Sequence, residues 1–207
     1  MTPVRPTLPV TPPPSVVPGT ETHWHSSWGF EVETSLYSEK GQRVVVLSHG
    51  APAAPGVVPL VRIHSACLTS EVFGSTRCDC REQLDEAMRR IGAEGAGLLL
   101  YFLDHEGRGI GLEAKLQAYA LQDDGHDTTE ANHLLGHPAD ARGFSAAAHV
   151  LSELGIRHVR LLTNNPAKIA VLEDAGIQVD RVPAWVKASR HAQGYLHHKR
   201  TVMAHLK

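Results

Sequence analysis

The sequence has few cysteines, no long apolar run and almost no net charge, and each shortage excludes a class of protein. Three cysteines in 207 residues are an odd number, which does not suit the paired framework of a disulfide-rich secreted domain. There is no run of 18 or more apolar residues, so we expect no membrane-spanning helix. A net charge of −2 gives no bulk attraction to nucleic acid or to a membrane surface.

The N-terminus also lacks the basic and apolar regions of a signal peptide. Clustered thiols without such a leader suit the reducing cytoplasm. We therefore expect a cytoplasmic protein whose partners include neither nucleic acid nor a membrane.

Proline is concentrated at the beginning of the chain, with seven prolines in the first twenty residues. Proline removes backbone donors and is excluded from helix interiors and central strands, so we predict a disordered arm over residues 1–22. A hydrophobic content of 42% is enough for one good core, and residues 23–207 are predicted to form a single domain. The basic, His-rich residues 191–207 are predicted to lie mostly on the surface.

Hydrophobic patterns within this domain predict an α/β fold. Strands are expected near residues 29–38, 43–50, 57–68, 97–103, 157–163 and 177–186. Helices are expected near residues 81–95, 111–125, 143–155 and 164–176. Because helices and strands alternate in the second half, the pattern favours an α/β sheet. Residues 123–144 are polar with no strong period, which predicts a functional loop.

All three cysteines fall within fourteen positions, at Cys67, Cys78 and Cys80. One intervening residue gives the last two poor geometry for a disulfide. Buried free thiols are one interpretation, but Asp79 and flanking arginines make the stretch polar and favour a zinc site. Three thiolates suit a catalytic zinc that keeps a position for water. A structural site completed by a histidine, with His64 nearest in sequence, stays open.

Three other polar motifs carry candidate ligand-binding residues. The glycine-rich turn "DHEGRGIGLEAK" suits close approach of a ligand to the backbone, and Arg108 and Glu106 suit a phosphate and a base edge. Asp140 and Arg142, two residues apart, could line one pocket or form a surface ion pair. The segment "LLTNNPAKI" places Thr163 where α/β folds usually bind ligands.

In combination, the motifs "VRIHSACLTSEVFGSTRCDC", "EGRGIGL", "AYALQDDGHDTTEANHLLG", "DAR" and "LLTNNPAK" resemble those of the GTP cyclohydrolase II family of riboflavin biosynthesis. The resemblance covers residues 28–207 and implies a single α/β domain with a mixed sheet and flanking helices, usually a homodimer. It implies an enzyme that uses Zn²⁺, one per chain, and Mg²⁺ with the nucleotide. The implied reaction is hydrolysis of GTP at guanine C8 and between the α- and β-phosphates. Its products are formate, pyrophosphate and 2,5-diamino-6-ribosylamino-4(3H)-pyrimidinone 5′-phosphate.

The same resemblance implies a role for each matching residue. Cys67, Cys78 and Cys80 match the zinc ligands, Asp140 the proton acceptor, Arg142 a nucleophile toward the α-phosphate and Tyr119 a residue assisting the purine reaction. Since guanidinium is almost always protonated, electrostatic stabilisation of the phosphoryl group is the physically easier role for Arg142. The implied nucleotide contacts are Arg62, Ile63, His64, Ser65, Ala66, Gln83, Glu106, Gly107, Arg108, Thr128, Thr163 and Lys168.

The sequence departs from the family pattern inside the site. Ala66 stands where the family usually has Glu, and Asp104 and His105 stand in place of Arg-Gln, which adds an anion near the pocket. These departures keep two alternatives open. One is a paralogue with an altered nucleotide substrate or a partial reaction in a specialised pathway. The other is a non-catalytic, zinc-bearing nucleotide-binding module.

Overall fold

An eight-stranded mixed sheet organises the computed structural model, which describes residues 15–186. The strands are β1 (Ser15–Val16), β2 (Thr22–His25), β3 (Glu31–Glu39), β4 (Gln42–His49), β5 (Leu60–Ser65), β6 (Gly97–Phe102), β7 (His158–Leu162) and β8 (Gln178–Val182). The helices are α1 (Leu68–Glu71), α2 (Cys80–Glu94), α3 (Gly111–Asp123), α4 (Thr128–Leu134), α5 (Ser145–Glu153) and α6 (Pro166–Asp174), and a 3₁₀ segment covers Leu103–Gly109. This is the predicted α/β architecture with a mixed sheet and flanking helices.

The sheet has an antiparallel half and a parallel half, joined at β6. The strand order is β1-β3-β4-β6-β5-β7-β8, with β2 also paired to β3. β3 and β4 form a hairpin whose two loop residues, Lys40 and Gly41, both have positive φ (49° and 82°), as tight hairpin turns require. β5 pairs in parallel with β6 and with β7. The carboxyl ends of these three strands therefore meet at one edge, where α/β sheets usually bind ligands.

Apolar side chains on both faces of the sheet explain why helices cover both. On one face, Ile63 and Leu100 join a buried cluster with residues of α5 and α6, including Leu151 and Leu172. On the other face, Leu60, Leu99 and Leu162 pack with Met88 and Ile91 of α2. Neighbouring residues of β5 and β6 point to opposite faces of the sheet, so both faces of these central strands are buried. This packing fixes the positions of their carboxyl ends.

Two stretches differ from the sequence predictions. Within the predicted arm, β1 pairs with β3, and Val16 packs against the core. Six of the seven early prolines precede residue 15, so residues 15–22 keep nearly all of their backbone donors for pairing. Residues 1–14 and the predicted surface tail, residues 191–207, lie outside the described residues.

The second difference is α4, inside the stretch predicted to be a loop. Asp127 accepts from the backbone N–H groups of Thr129 and Glu130, and Glu130 accepts from the Asp127 N–H. This reciprocal capping box satisfies donors that a helix start leaves unpaired, so a short helix forms without a strong apolar period. In residues 15–186, no helix has the length and apolarity needed to cross a bilayer.

Candidate active site

A cavity of about 390 Å³ opens at the carboxyl edge of β5 and β6. Ten of the predicted site residues line it: Ser65, Ala66, Cys67, Cys78, Cys80, Gly107, Arg108, Tyr119, Thr128 and Arg142. The other eight do not line it: Arg62, Ile63, His64, Gln83, Glu106, Asp140, Thr163 and Lys168. The predicted residues therefore divide into a cavity wall and a layer outside it.

Three thiols, here called the thiol cluster, lie together at one part of the wall. Cys67 precedes α1, Cys80 is the first residue of α2, and Cys78 lies in the connection between the two helices. Their sulfur atoms all lie within 4.8 Å of one another, and the Sγ atoms of Cys67 and Cys78 are 3.6 Å apart. Tetrahedral Zn–S bonds of about 2.3 Å put two sulfurs about 3.8 Å apart, so the cluster fits a zinc ion.

A buried lysine that the sequence analysis did not select supports this cluster. The Nζ atom of Lys115 on α3 donates to Cys67 Sγ at 3.1 Å and to the Glu106 carboxylate. Hydrogen bonds from Cys78 and Cys80, together with Lys115, hold the pKa of Cys67 below its usual value. Burial alone lowers the pKa of Lys115, but Cys67 and Glu106 outweigh it, so the lysine stays charged.

The spacing of Lys115 and Tyr119 contained the signal for the missed lysine. Residues four apart share one face of a helix, and the Lys115 ammonium lies 5.7 Å from the Tyr119 ring centroid. The Arg77 guanidinium lies over the same ring at 4.8 Å, and the hydroxyl groups of Tyr119 and Thr69 are 3.3 Å apart. Burial raises the pKa of Tyr119, which keeps its hydroxyl protonated and able to donate.

The glycine-rich turn connects β6 to α3 and fixes the neighbouring loop. Gly107 and Arg108 both have left-handed backbone, with φ of 60° and 64°, a conformation that is uncommon for arginine. The Arg108 carbonyl accepts from the Ala141 N–H at 3.0 Å. A methyl group on Gly109 would lie 3.2 Å from the Ala141 carbonyl carbon. The turn therefore places the Asp140–Arg142 loop against the cavity.

A second group, here called the arginine cluster, consists of Ser65, His105, Asp140 and Arg142. Arg142 makes a two-pronged contact with Asp140, at 2.8 Å from Nε and 2.6 Å from Nη2. Its Nη1 donates to the Ser65 hydroxyl at 3.3 Å. Burial raises the pKa of Asp140, but hydrogen bonds and the charge of Arg142 lower it by more, so the carboxylate stays ionised. The Asp140–Arg142 pair is thus partly buried and ordered.

The two unusual residues before the glycine-rich turn point in different directions. The Asp104 carboxylate accepts from the Arg43 backbone N–H and from its guanidinium, both at 2.7 Å. Asp104 does not line the cavity, so the anion expected near the pocket is instead neutralised on the β4 side. His105 does line the cavity, and the residue is 2% exposed.

The predicted residues outside the cavity wall form a buried polar layer beneath it. Arg62 donates to the Leu162 carbonyl and to the Gln83 side chain, and Gln83 donates to Asp79. Lys168 donates to the Ile63 carbonyl at 2.9 Å. Burial lowers the pKa of Arg62 to about 10, which still leaves it protonated at neutral pH. This layer places cationic side chains behind the cavity.

The remaining three predicted residues serve the strand ends and α1. The Thr163 hydroxyl accepts from the Asn165 N–H at 3.0 Å, where α6 begins. His64 contacts the Glu71 carboxylate at 2.8 Å, and the Glu106 carboxylate accepts from the Leu68 N–H at 2.7 Å. Both carboxylate contacts fix α1, and α1 carries Cys67 at its beginning.

Comparison with known proteins identifies the family of the chain. The sequence model of the GTP cyclohydrolase II family matches residues 19–183. The riboflavin biosynthesis protein RibBA of Mycobacterium avium is 51% identical over 174 residues, which are 83% of this chain and 41% of that protein. RibBA of Aquifex aeolicus is 44% identical over 186 residues, 89% of this chain and 46% of that protein. The chain thus spans less than half the length of these relatives.

Among solved structures, the crystal structure of RibBX, a two-domain 3,4-dihydroxy-2-butanone 4-phosphate synthase from A. baumannii, covers 86% of this chain and 41% of its own at 18% identity and a TM-score of 0.43. The family match covers most of the described residues and includes every residue of the thiol and arginine clusters. The chain therefore belongs to the GTP cyclohydrolase II family, a family of hydrolases.

Proposed function

We propose that this chain hydrolyses GTP in riboflavin biosynthesis, opening the guanine imidazole ring at C8 and releasing formate and pyrophosphate. The observation that carries the proposal is a single cavity lined by both the thiol cluster and Arg142. The two hydrolyses act at opposite ends of one nucleotide, so they need a metal-binding group and a phosphate-binding group within one ligand's length. The product would be 2,5-diamino-6-ribosylamino-4(3H)-pyrimidinone 5′-phosphate.

In this proposal Cys67, Cys78 and Cys80 hold one Zn²⁺ per chain. When bound, the zinc would lower the pKa of a water ligand toward ~7 and supply hydroxide at neutral pH. Three thiolates carry one more negative charge than the metal neutralises, and the ammonium of Lys115, 3.1 Å from Cys67 Sγ, balances that excess. In this proposal the protonated Tyr119 hydroxyl donates to the purine ring.

Arg142 binds the phosphoryl group that is transferred. Its guanidinium is planar and permanently charged, and Asp140 fixes its orientation through two parallel hydrogen bonds. These features suit stabilisation of charge on phosphate oxygens better than attack by the guanidinium. Mg²⁺ accompanies the triphosphate, and the buried cations Arg62 and Lys168 add positive potential behind the cavity.

Recognition of the guanine base is assigned to Gln83 and Glu106. Both side chains are already engaged, Gln83 with Arg62 and Asp79, and Glu106 with Lys115 and the Leu68 N–H. Binding of the base therefore requires an exchange of hydrogen-bond partners at these two residues. By resemblance to the family, the functional unit is a homodimer in the cytoplasm.

The test is incubation of zinc-loaded protein with GTP and Mg²⁺, following formate, pyrophosphate and the pyrimidine product by mass spectrometry. Equal amounts of formate and pyrophosphate support the proposal. Pyrophosphate without formate would show an incomplete purine reaction. Bound GTP that stays intact in the presence of zinc would support the non-catalytic binding module instead.

One observation favours a second candidate, a related enzyme with a different nucleotide substrate. Ala66 lines the cavity beside Cys67, where the family usually supplies a carboxylate. Compared with a glutamate side chain, the methyl group of Ala66 leaves more room in the cavity. It also provides no acceptor for the N–H or O–H donors of a base or ribose. Comparing kcat/KM for GTP with that for other purine nucleoside triphosphates tests this candidate. A clear preference for another nucleotide would replace GTP in the proposal.

A further inference from the structure

The ring of His105 occupies a closed aromatic site at the back of the cavity. It stacks on Phe102, with ring centroids 4.5 Å apart and planes 22° apart. Phe144 meets it edge to face, with centroids 5.3 Å apart. These contacts, together with 2% exposure, leave the ring one orientation. A polar side chain held this firmly between two aromatic rings has its nitrogen atoms fixed in space.

One of those nitrogen atoms begins a chain of contacts that ends at Arg142. The Nδ1 atom of His105 lies 3.3 Å from the Ser65 hydroxyl oxygen. The same oxygen lies 3.3 Å from Nη1 of Arg142. A guanidinium can only donate, and a serine hydroxyl has one hydrogen. The serine oxygen can accept from Arg142 while its own hydrogen points at Nδ1 of a neutral His105 ring.

Electrostatics supports the neutral form of the ring that this direction requires. Burial, together with the charges of Arg142 and Lys168, lowers the pKa of His105 to about 4. Among the groups facing the ring, only the Asp140 carboxylate raises the pKa through its charge. At neutral pH the ring is therefore uncharged, and its Nδ1 atom can accept from Ser65. It neither repels Arg142 nor competes with it for the serine oxygen.

We infer that His105 is a positioning residue: it orients the Ser65 hydroxyl, which in turn holds the guanidinium of Arg142 for the phosphoryl group. This inference rests on the proposed function of Arg142. Asp140 holds the Nε and Nη2 edge of the guanidinium, and Ser65 holds Nη1. The guanidinium is thereby fixed from two sides, and the second side depends on His105 through Ser65.

Two substitutions separate the hydrogen bond from the packing of the ring. His105→Phe keeps an aromatic ring between Phe102 and Phe144 but has no acceptor. His105→Asn loses the ring but keeps an acceptor near the position of Nδ1. For His105→Phe we expect kcat for pyrophosphate release to fall about tenfold, in the range found for residues that orient a site from behind. KM and zinc content should stay near the wild-type values. For His105→Asn we expect most of kcat to be retained.

Ser65→Ala removes the hydroxyl that connects His105 to Arg142. If the three residues act in series, Ser65→Ala combined with His105→Phe should be no slower than the worse single variant. Effects that multiply in the double variant would overturn the inference. So would a loss in His105→Asn as large as that in His105→Phe, because the ring and not the acceptor would then matter.

A spectroscopic readout decides the inference without turnover. In ¹⁵N NMR of the wild-type protein at neutral pH, His105 should be the neutral tautomer with its proton on Nε2. A proton on Nδ1 would exclude acceptance from Ser65 and overturn the inference. If the wild-type protein does not hydrolyse GTP, the proposed function fails, while the tautomer still decides whether the contact chain exists.

Discussion

The thiol cluster and the arginine cluster lie in one cavity but are held in place by different forces. Cys67, Cys78 and Cys80 are soft sulfur donors, and one of them, Cys67, accepts from the ammonium of Lys115. Arg142 is a delocalised cation whose charge is balanced by Asp140, and its orientation is fixed by Asp140 and the Ser65 hydroxyl together. The difference teaches that the proposed metal-binding and phosphate-binding halves of the site should be separable by substitution.

The strongest test of that separation is Cys78→Ser. A serine hydroxyl is not ionised at neutral pH, so we expect loss of zinc and a fall in formate release of more than about 100-fold. The arginine cluster is unchanged, and pyrophosphate release should persist. Zinc stoichiometry and both products are measured together. Val72→Ser, at a side chain that is 66% exposed in the same region, is the control. Full zinc content in Cys78→Ser would show that the metal lies elsewhere.

Arg142→Lys makes the reciprocal change. Lysine keeps the charge but loses the planar fork that contacts Asp140 and Ser65. We expect kcat for pyrophosphate release to fall about 100-fold, as for the loss of an oriented donor in a transition state, with zinc content unchanged. Arg157→Lys, at an exposed arginine that donates to the Ser152 hydroxyl, should change kcat less than about twofold. Loss of zinc in Arg142→Lys would mean that the two clusters are not separable.

The pH dependence of the free energy of unfolding should report on His105, one residue of the arginine cluster. Because the pKa of His105 is lowered to about 4 in the fold, the unfolded chain takes up its proton first as the pH falls. Its contribution to stability is therefore complete above about pH 6.5 and is lost between about pH 6.5 and about pH 4, by up to about 3 kcal/mol. Urea unfolding across this range should show a shallower acid loss in His105→Phe than in the wild type.

The thiol cluster is the same in both proteins, so acid release of a metal bound there would affect both, and the difference between the two curves reports on His105. The groups that face the ring, Arg142, Lys168 and Asp140, are the same in both proteins. Parallel curves for the wild type and His105→Phe would contradict the lowered pKa.

The smallest effect is expected for Asp104→Asn. This variant tests whether the Asp104 carboxylate, which lies next to His105 in the chain, contributes to the site. The Asp104 carboxylate contacts Arg43 on β4 and not the cavity. Exposed ion pairs contribute little, so kcat and KM for GTP should change less than about twofold. Arg43→Gln removes the other partner and should behave in the same way. A large rise in KM in Asp104→Asn alone would place this carboxylate in the nucleotide site.

Most of the regular elements could be predicted from local patterns. The apolar run of β6 and the amphipathic pattern of α2, with a left-handed Gly95 after its last residue (φ 74°), each signal their own structure. α4 was missed because its stability comes from the capping interactions of Asp127 and Glu130 and not from an apolar period. The short β1 was missed because pairing with β3 outweighs a neighbouring proline-rich composition.

The sequence by itself determined the thiol cluster and the family, because both depend on residues close together in the chain or on motifs in a fixed order. Only the tertiary structure decided that Lys115 lies against Cys67, that Asp104 turns to Arg43, and that His105 reaches Arg142 through Ser65. These contacts join residues 40 to 77 positions apart, the extremes being Ser65–His105 and Ser65–Arg142. Such contacts depend on which strand ends meet at one edge of the sheet, and no local pattern in the chain records that meeting.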